Sequence, residues 1–408
     1  MKRKILVQVI ALMLLFFSTA CVGGAKKVKP GIDVLLEEQP DLLKGKRVGL
    51  ITNPSGVNSH MESTVDLLYN HPDINLVALF GPEHGVRGDV TGGFTVEDFV
   101  DPKTNVPVYS LYGKTRKPTP GMLENVDVLI YDIQDIGSRA YTYIYTMALS
   151  MKAAAEQKKE FIVLDRPNPL GGNLVEGPVL DTAFSSFIGL YPIPFVYGLT
   201  VGELAQLFNF EFDINVDLTV VPLKNWRRDM TGDETGLEWV ITSPHIPHSK
   251  TALFCAATGC IGELHTIDIG VGYTLPFELI SEEWMDANEL SDELNSYQLP
   301  GAYFRPMHYT PYYFTREDIQ LQGVQIHITD VAEFKPMMTQ IYILCAIRKL
   351  YPEQPIFETK RTSSFDKAMG TDKIRQEIWD GKSAMEIIAE WQDDIDAFMK
   401  TREKYLIY

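Results

Sequence analysis

Five short apolar runs recur along the first part of this chain, at 47–52, 74–80, 126–131, 161–164 and 218–221. Near-continuous apolar runs of this length suit strands buried on both faces, as in a parallel sheet. Helical patterns separate them. One runs through Val65–Leu68, and Thr119 with Pro120 opens a short second one. A long Ala- and Met-rich segment follows from Tyr141 to Gln157, and the capping box Thr200–Glu203 precedes Leu204–Phe208. Alternating strands and helices predict an α/β fold, a parallel sheet covered by helices. The first strand runs into Asn53-Pro54-Ser55-Gly56, with no GxGxxG or Walker-type glycine loop. No nucleotide site is therefore expected, although the sheet is Rossmann-like.

The second half is less regular. Phe334–Leu350 reads as a helix, and Gly323–Ile328 as a strand. Ser383–Glu386 is another capping box, and Ile387, Ile388, Trp391, Ile395, Phe398 and Met399 then recur at helical spacing. That spacing predicts one helix with a buried face. The expected organisation is a Rossmann-like domain over 31–240 and a smaller α+β carboxy-terminal domain over 241–408 that completes a cleft.

Residues 1–21 read as an export signal: basic Lys2-Arg3-Lys4, an apolar segment too short for a lasting membrane span, then Ser18-Thr19-Ala20-Cys21. A cysteine directly after small residues is a lipobox, so Cys21 is the expected lipidation site and 22–30 a tether. The expected location is the bacterial cell envelope, with the protein membrane-anchored as a lipoprotein on the periplasmic or outer-membrane side. Acyl chains, not a helix, would form the anchor. A net charge of -17 disfavours nucleic acid and anionic surfaces as partners. Three cysteines remain, Cys255, Cys260 and Cys345. They lack the CxxC form of a zinc site, and the sequence leaves open whether Cys255 and Cys260 pair.

Polar residues follow each of the first four strands. Asn53 follows the first, and Glu83 with His84, in Gly81-Pro82-Glu83-His84-Gly85, the second. Asp132, Gln134, Asp135, Ser138, Arg139, Tyr141 and Tyr143 follow the third; Asp165, Arg166 and Asn168 follow the fourth. In a parallel sheet these groups share the carboxyl edge, where ligands bind. Glu83 and His84 there suit acid–base chemistry. The surrounding amides, carboxylates and phenols suit a polyhydroxylated ligand such as a sugar. No HExxH or DxDxDG pattern points to a metal.

At these residues the chain resembles the NamZ-type exo-β-N-acetylmuramidases, bacterial peptidoglycan-recycling glycosidases long known as a domain of unknown function. The resemblance rests on Thr52–Gly56, Gly81–Gly85, Asp132–Gly137 with Arg139 and Tyr141–Tyr143, Asp165–Pro169 and Glu176–Pro178, and runs from about Gly31 to Tyr408. It implies a Rossmann-like domain plus a smaller domain, a cleft between them, and release of N-acetylmuramic acid from non-reducing ends of peptidoglycan fragments without a cofactor. The glutamate of Gly-Pro-Glu-His-Gly, here Glu83, is the implied catalytic carboxylate. The second half departs from the pattern. Glu263-Leu264-His265 stands where Glu-Gly-Thr is usual, keeping Glu263 as a substrate-binding candidate, and Val271 replaces an arginine. A guanidinium suits the lactyl carboxylate of muramic acid. Without it, weak discrimination between muramic acid and glucosamine termini, or release of a related amino sugar unit instead, is expected, unless Arg139, Arg87 or a lysine supplies the charge.

The reading is therefore a lipid-anchored glycoside hydrolase acting on peptidoglycan-derived oligosaccharide. Glu83 is the general acid, and His84 or Asp132 tunes it. Asp132, Asp135, Asp165 or the substrate's acetamido group is the second catalytic group. The competing class is a non-catalytic sugar-binding lipoprotein, which would have no need of an acid at Glu83.

Overall fold

Successive side chains of a strand point to opposite faces, and the strands of this chain feed two different cores accordingly. In the computed structural model, which describes residues 26–88 and 98–408, seven strands form one sheet. They are β1 (Arg47–Thr52), β2 (Asn75–Gly81), β3 (Phe99–Val100), β4 (Pro107–Ser110), β5 (Val128–Asp132), β6 (Glu160–Leu164) and β7 (Asp217–Val221). Their order is β3-β4-β2-β1-β5-β6-β7, all parallel except the edge strand β3.

Ile51, Phe80, Leu129, Tyr131, Phe161 and Val163 pack on one face with Ile144, Met147, Met151, Leu204 and Phe208. The last five lie on α4 (Tyr143–Glu156) and α5 (Val201–Glu211). Val48, Leu50, Leu79, Ile130, Ile162 and Leu164 pack on the other face with Ile32, Leu35, Val65 and Leu68. These last belong to α1 (Gly31–Glu38) and α2 (Thr64–Asn70); the short α3 (Pro120–Leu123) leads into β5. The chain moves outward from β1 to β2 and β4, then returns to lay β5 on the other side of β1. A crevice at the carboxyl ends of β1 and β5 follows from that reversal.

The carboxy-terminal part opens with α6 (Thr251–Gly262), followed by β8 (Leu279–Glu282), α7 (Ala287–Ser296), β9 (Ala302–Tyr309) and β10 (Leu321–Ile328). β10 pairs antiparallel with both β8 and β9. Helices α8 (Pro336–Leu350), α9 (Thr362–Met369), α10 (Lys373–Trp379), α11 (Ala384–Ala389) and α12 (Gln392–Arg402) complete it. The α/β architecture with a smaller α+β domain is as the sequence predicts.

One expectation is corrected, and two points that the sequence left open are filled in. The helical spacing from Ile387 to Met399 spans two helices, broken at Glu390 and Trp391, where the chain bends so that Ile387, Trp391, Ile395 and Phe398 all stay buried. β3 and β4 were not anticipated, because β4 is four residues long and starts at a proline. Cys255 and Cys260 are both free and lie on the single helix α6, so that pairing is absent. No helix among the described residues is long and apolar enough to cross a membrane. The leader, the tether up to residue 25 and Cys21 lie outside the described residues.

Candidate active site

The tight turn after β2 fixes the position of Glu83. The Gly85 amide donates to the Pro82 carbonyl at 3.0 Å, and His84 has φ +72°. A positive φ only at the third residue is the requirement of a type II turn, which glycine or asparagine usually meets. Histidine there carries local strain, which persists where surrounding contacts over-determine the conformation. The turn projects half-buried Glu83 toward the start of α4. Thr142 precedes that helix, yet its side chain does not cap it; the hydroxyl donates to Glu83 Oε2 at 3.4 Å. The Tyr143 hydroxyl lies 3.5 Å from the Glu83 carbonyl oxygen. Tyr112, two residues past β4, faces the Glu83 carboxyl group. Burial first, then that neighbouring charge, pushes its phenol up to about 12.

A segment from the second part of the chain closes over this edge. The Thr242 carbonyl accepts from the Asn53 amide at 3.2 Å and from the Tyr143 hydroxyl at 2.8 Å. The Thr242 hydroxyl accepts from the Tyr141 hydroxyl at 2.9 Å. His245 follows. Burial, and then the adjacent His84, hold its imidazole below the usual histidine range. The Tyr313 ring stacks on His245, with centroids 6.4 Å apart and planes 18° from parallel. Tyr312, Tyr313 and Phe314 are exposed. Through His84, His245 and Tyr313, the Glu83 turn is thus linked to an aromatic loop of the smaller domain.

The other carboxylates named from the sequence have structural duties. Asp132 is fully buried and holds Arg166 in a two-pronged pair at 2.5 and 2.9 Å, with Thr64 donating to it as well. The sequence offers Asp132, like His84, as a group tuning Glu83; its carboxylate is committed here to Arg166 and Thr64. Asp135 accepts from the Gly137 amide at 2.7 Å and from the Tyr197 hydroxyl; burial raises its pKa to about 6. Asp165 accepts from Thr200, Gly202 and Tyr408 at 2.6–2.8 Å, and burial raises it to about 7. Desolvation dominates in both because neither faces a cation at close range.

The remaining candidates divide similarly. Asn53 anchors Ser55 through its side-chain oxygen, and Gln134 donates to the Asp135 and Pro167 carbonyls. Asn168 is buried between the Leu199 carbonyl and the Leu170 amide. Ser138 is buried, with no hydroxyl partner among the described residues. Arg139 is wholly buried and gives its guanidinium to four carbonyls, of Pro178, Ile193, Ala368 and Met369. Arg87 is paired with Asp101 at 3.0 and 3.1 Å, with Asp66 at 3.5 Å. Glu263 caps the end of α6 and pairs with Arg361 at 2.7 Å. Val271 packs against the core of the smaller domain and lines a cavity of about 180 Å³ with Glu263, His265, Phe314 and Arg316. Neither Arg139 nor Arg87 is therefore placed to replace the missing arginine.

Sequence reasoning missed Tyr112, Thr142, Thr242, His245 and Tyr313. Recognising β4 as a strand would have flagged Tyr112 by the same strand-end rule that found Glu83. The others come from segments whose approach only the tertiary fold decides. No group of His, Cys, Asp and Glu able to hold a metal ion occurs among the described residues.

Comparison with known proteins agrees with this architecture. Residues 48–250 match the family described as exo-β-N-acetylmuramidase NamZ, N-terminal, and residues 255–408 match its C-terminal counterpart. The chain is 52% identical over 382 residues to the peptidoglycan β-N-acetylmuramidase NamZ of Bacillus subtilis, covering 94% of this chain and 92% of that protein. Two DUF1343 family proteins of Bacteroides fragilis have similar crystal structures, one at 47% identity with a TM-score of 0.90, the other at 30% with 0.73. Each comparison covers 94% of this chain and 99% of the other. With both halves matched in order along one chain, this protein belongs to the exo-β-N-acetylmuramidase NamZ family, whose members are glycosidases.

Proposed function

We propose that this protein is a glycoside hydrolase that releases N-acetylmuramic acid from the non-reducing ends of peptidoglycan fragments, with Glu83 as its general acid. The observation that carries this reading is the division of labour among the carboxylates. Glu83 stands half-buried beside Tyr112 and Thr142, with His245 near the adjoining His84, whereas Asp132, Asp135 and Asp165 are buried and bonded elsewhere.

In this reading Glu83 gives its proton to the glycosidic oxygen as the bond to the anomeric carbon breaks. With the three aspartates engaged, the 2-acetamido oxygen of the sugar attacks the anomeric carbon, as in known substrate-assisted glycosidases. Water then opens the cyclic intermediate while Glu83, now a carboxylate, takes the water's proton. The aromatic wall at Tyr313 offers a ring face to the apolar side of the sugar. The same reading keeps the lipid anchor at Cys21, which would hold the enzyme in the envelope near its substrate.

Glu83→Gln keeps the shape and removes the transferable proton. Turnover of a 4-nitrophenyl N-acetylmuramide should fall roughly a hundredfold or more with an unchanged melting temperature. Activity within a few-fold of wild type would remove Glu83 from the mechanism. The first-formed anomer, read by NMR, should keep the β configuration; an α product would rule out the acetamido route.

A further inference from the structure

Among the described residues, Arg116 is the one arginine whose contacts are all with aromatic rings. Its guanidinium carbon lies 4.1 Å from the Phe187 ring centroid and 5.8 Å from that of Tyr112. The other described arginines donate to carboxylates, carbonyls or an amide side chain, as Arg47, Arg87, Arg139, Arg166, Arg228, Arg305, Arg316 and Arg361 do. Arg116 is exposed, and the two rings beside it stand 6.4 Å apart and 47° from parallel. Tyr112 is also the phenol that faces Glu83. One side chain therefore neighbours both the arginine and the carboxylate, which places Arg116 one residue away from Glu83.

We infer that Arg116 recognises the lactyl carboxylate of the muramic acid unit and so sets the sugar specificity; the assignment rests on the functional reading above. The chemistry fits. The lactyl group hangs from O3, on the ring carbon two atoms from the anomeric centre where Glu83 acts. A carboxylate projecting from that position needs a cation near the acid but not bonded to it. A guanidinium resting on aromatic rings keeps its paired N–H donors unspent, the geometry that carboxylates accept best. Arg116 thereby takes the part that Val271 cannot play, which Arg139 and Arg87 are too engaged to fill.

The test compares kcat/KM for 4-nitrophenyl N-acetylmuramide and 4-nitrophenyl N-acetylglucosaminide, in wild type, Arg116→Ala and Arg116→Lys. A lost charge-assisted pair should cut the muramide-to-glucosaminide ratio roughly 10- to 150-fold in Arg116→Ala. Arg116→Lys should recover part of it, and the glucosaminide rate should hardly move. A ratio within twofold of wild type in Arg116→Ala would overturn the assignment. Equilibrium binding of free N-acetylmuramic acid against N-acetylglucosamine reads the same contact without turnover. If wild type hydrolyses neither substrate yet binds muramic acid in an Arg116-dependent way, the hydrolase reading falls and the carboxylate site stands. If Arg116→Ala leaves both binding and hydrolysis preferences intact, the site falls alone.

Discussion

Arg139 carries a charge into a place that water does not reach. Burial pushes its guanidinium down to about 10, so it is still charged at neutral pH, and four carbonyls take the place of a counter-ion. Two of them, Pro178 and Ile193, belong to the sheet domain; the other two end α9 in the smaller domain. Gly370 has φ +84°, and a Cβ there would come within 2.4 Å of the Arg139 Nη2 atom. Only glycine allows this approach. From sequence, an arginine in a strand-end loop reads as a ligand-facing cation; here the loop turns it inward to brace the domains. Arg139→Ala strands those carbonyls and should cost roughly 3–5 kcal/mol of stability in urea unfolding. A loss under about 1 kcal/mol would show that the brace is not what couples the domains.

Helix α8 is held to the sheet domain by another buried group. It starts at Pro336, and its first free amides, Met337 and Met338, donate to the Glu176 carboxylate at 3.0 and 2.9 Å. A carboxylate at a helix start satisfies donors that the helix itself cannot. Burial outweighs those bonds and pushes the Glu176 pKa up to about 7 from 4.5. The native state therefore binds this proton more tightly than the unfolded chain. Its contribution to stability is complete below about pH 4.5 and is lost as pH rises through about 7. Between pH 5 and 8, Glu176→Gln should flatten the fall in melting temperature by at least about 2 °C. An unchanged slope would mean that other groups set the pH dependence. The Glu176-Gly177-Pro178 motif was legible in the sequence, but its task was not, because the helix it caps begins 160 residues later.

Across the whole molecule, the carboxyl edge of one parallel sheet approaches a loop of the smaller domain through His245 and Tyr313, and the leader would set where that site works. If Cys21 is acylated, full-length protein made in a bacterial host should partition into the detergent phase of a Triton X-114 extract, and Cys21→Ala should move it to the aqueous phase. Acyl chains supply enough apolar area for such partitioning, while no described helix does. Equal partitioning of the two proteins would remove the anchor. Hydrolysis by the released form should match that of the full chain, since the cleft is built entirely from residues beyond the tether.

The sequence by itself determined strands β1, β2, β5, β6 and β7, their direction and the residues at their ends. Near-continuous apolar runs and glycine-bounded turns are local properties, and a parallel sheet then obliges Asn53, Glu83, Gln134 and Asn168 to share an edge. What only the tertiary structure decided is which polar groups at that edge face the cleft. Asp132, Asp135 and Asp165 read from sequence much as Glu83 does. They differ because Arg166, Tyr197 and Tyr408, arriving from 34, 62 and 243 residues away, bond them inside the protein. A buried carboxylate must find partners, and those partners are set by packing between distant segments, which no local pattern encodes. The aromatic wall at Tyr313 and the ring-bound Arg116 arise in the same way, from contacts closed only when the chain has folded.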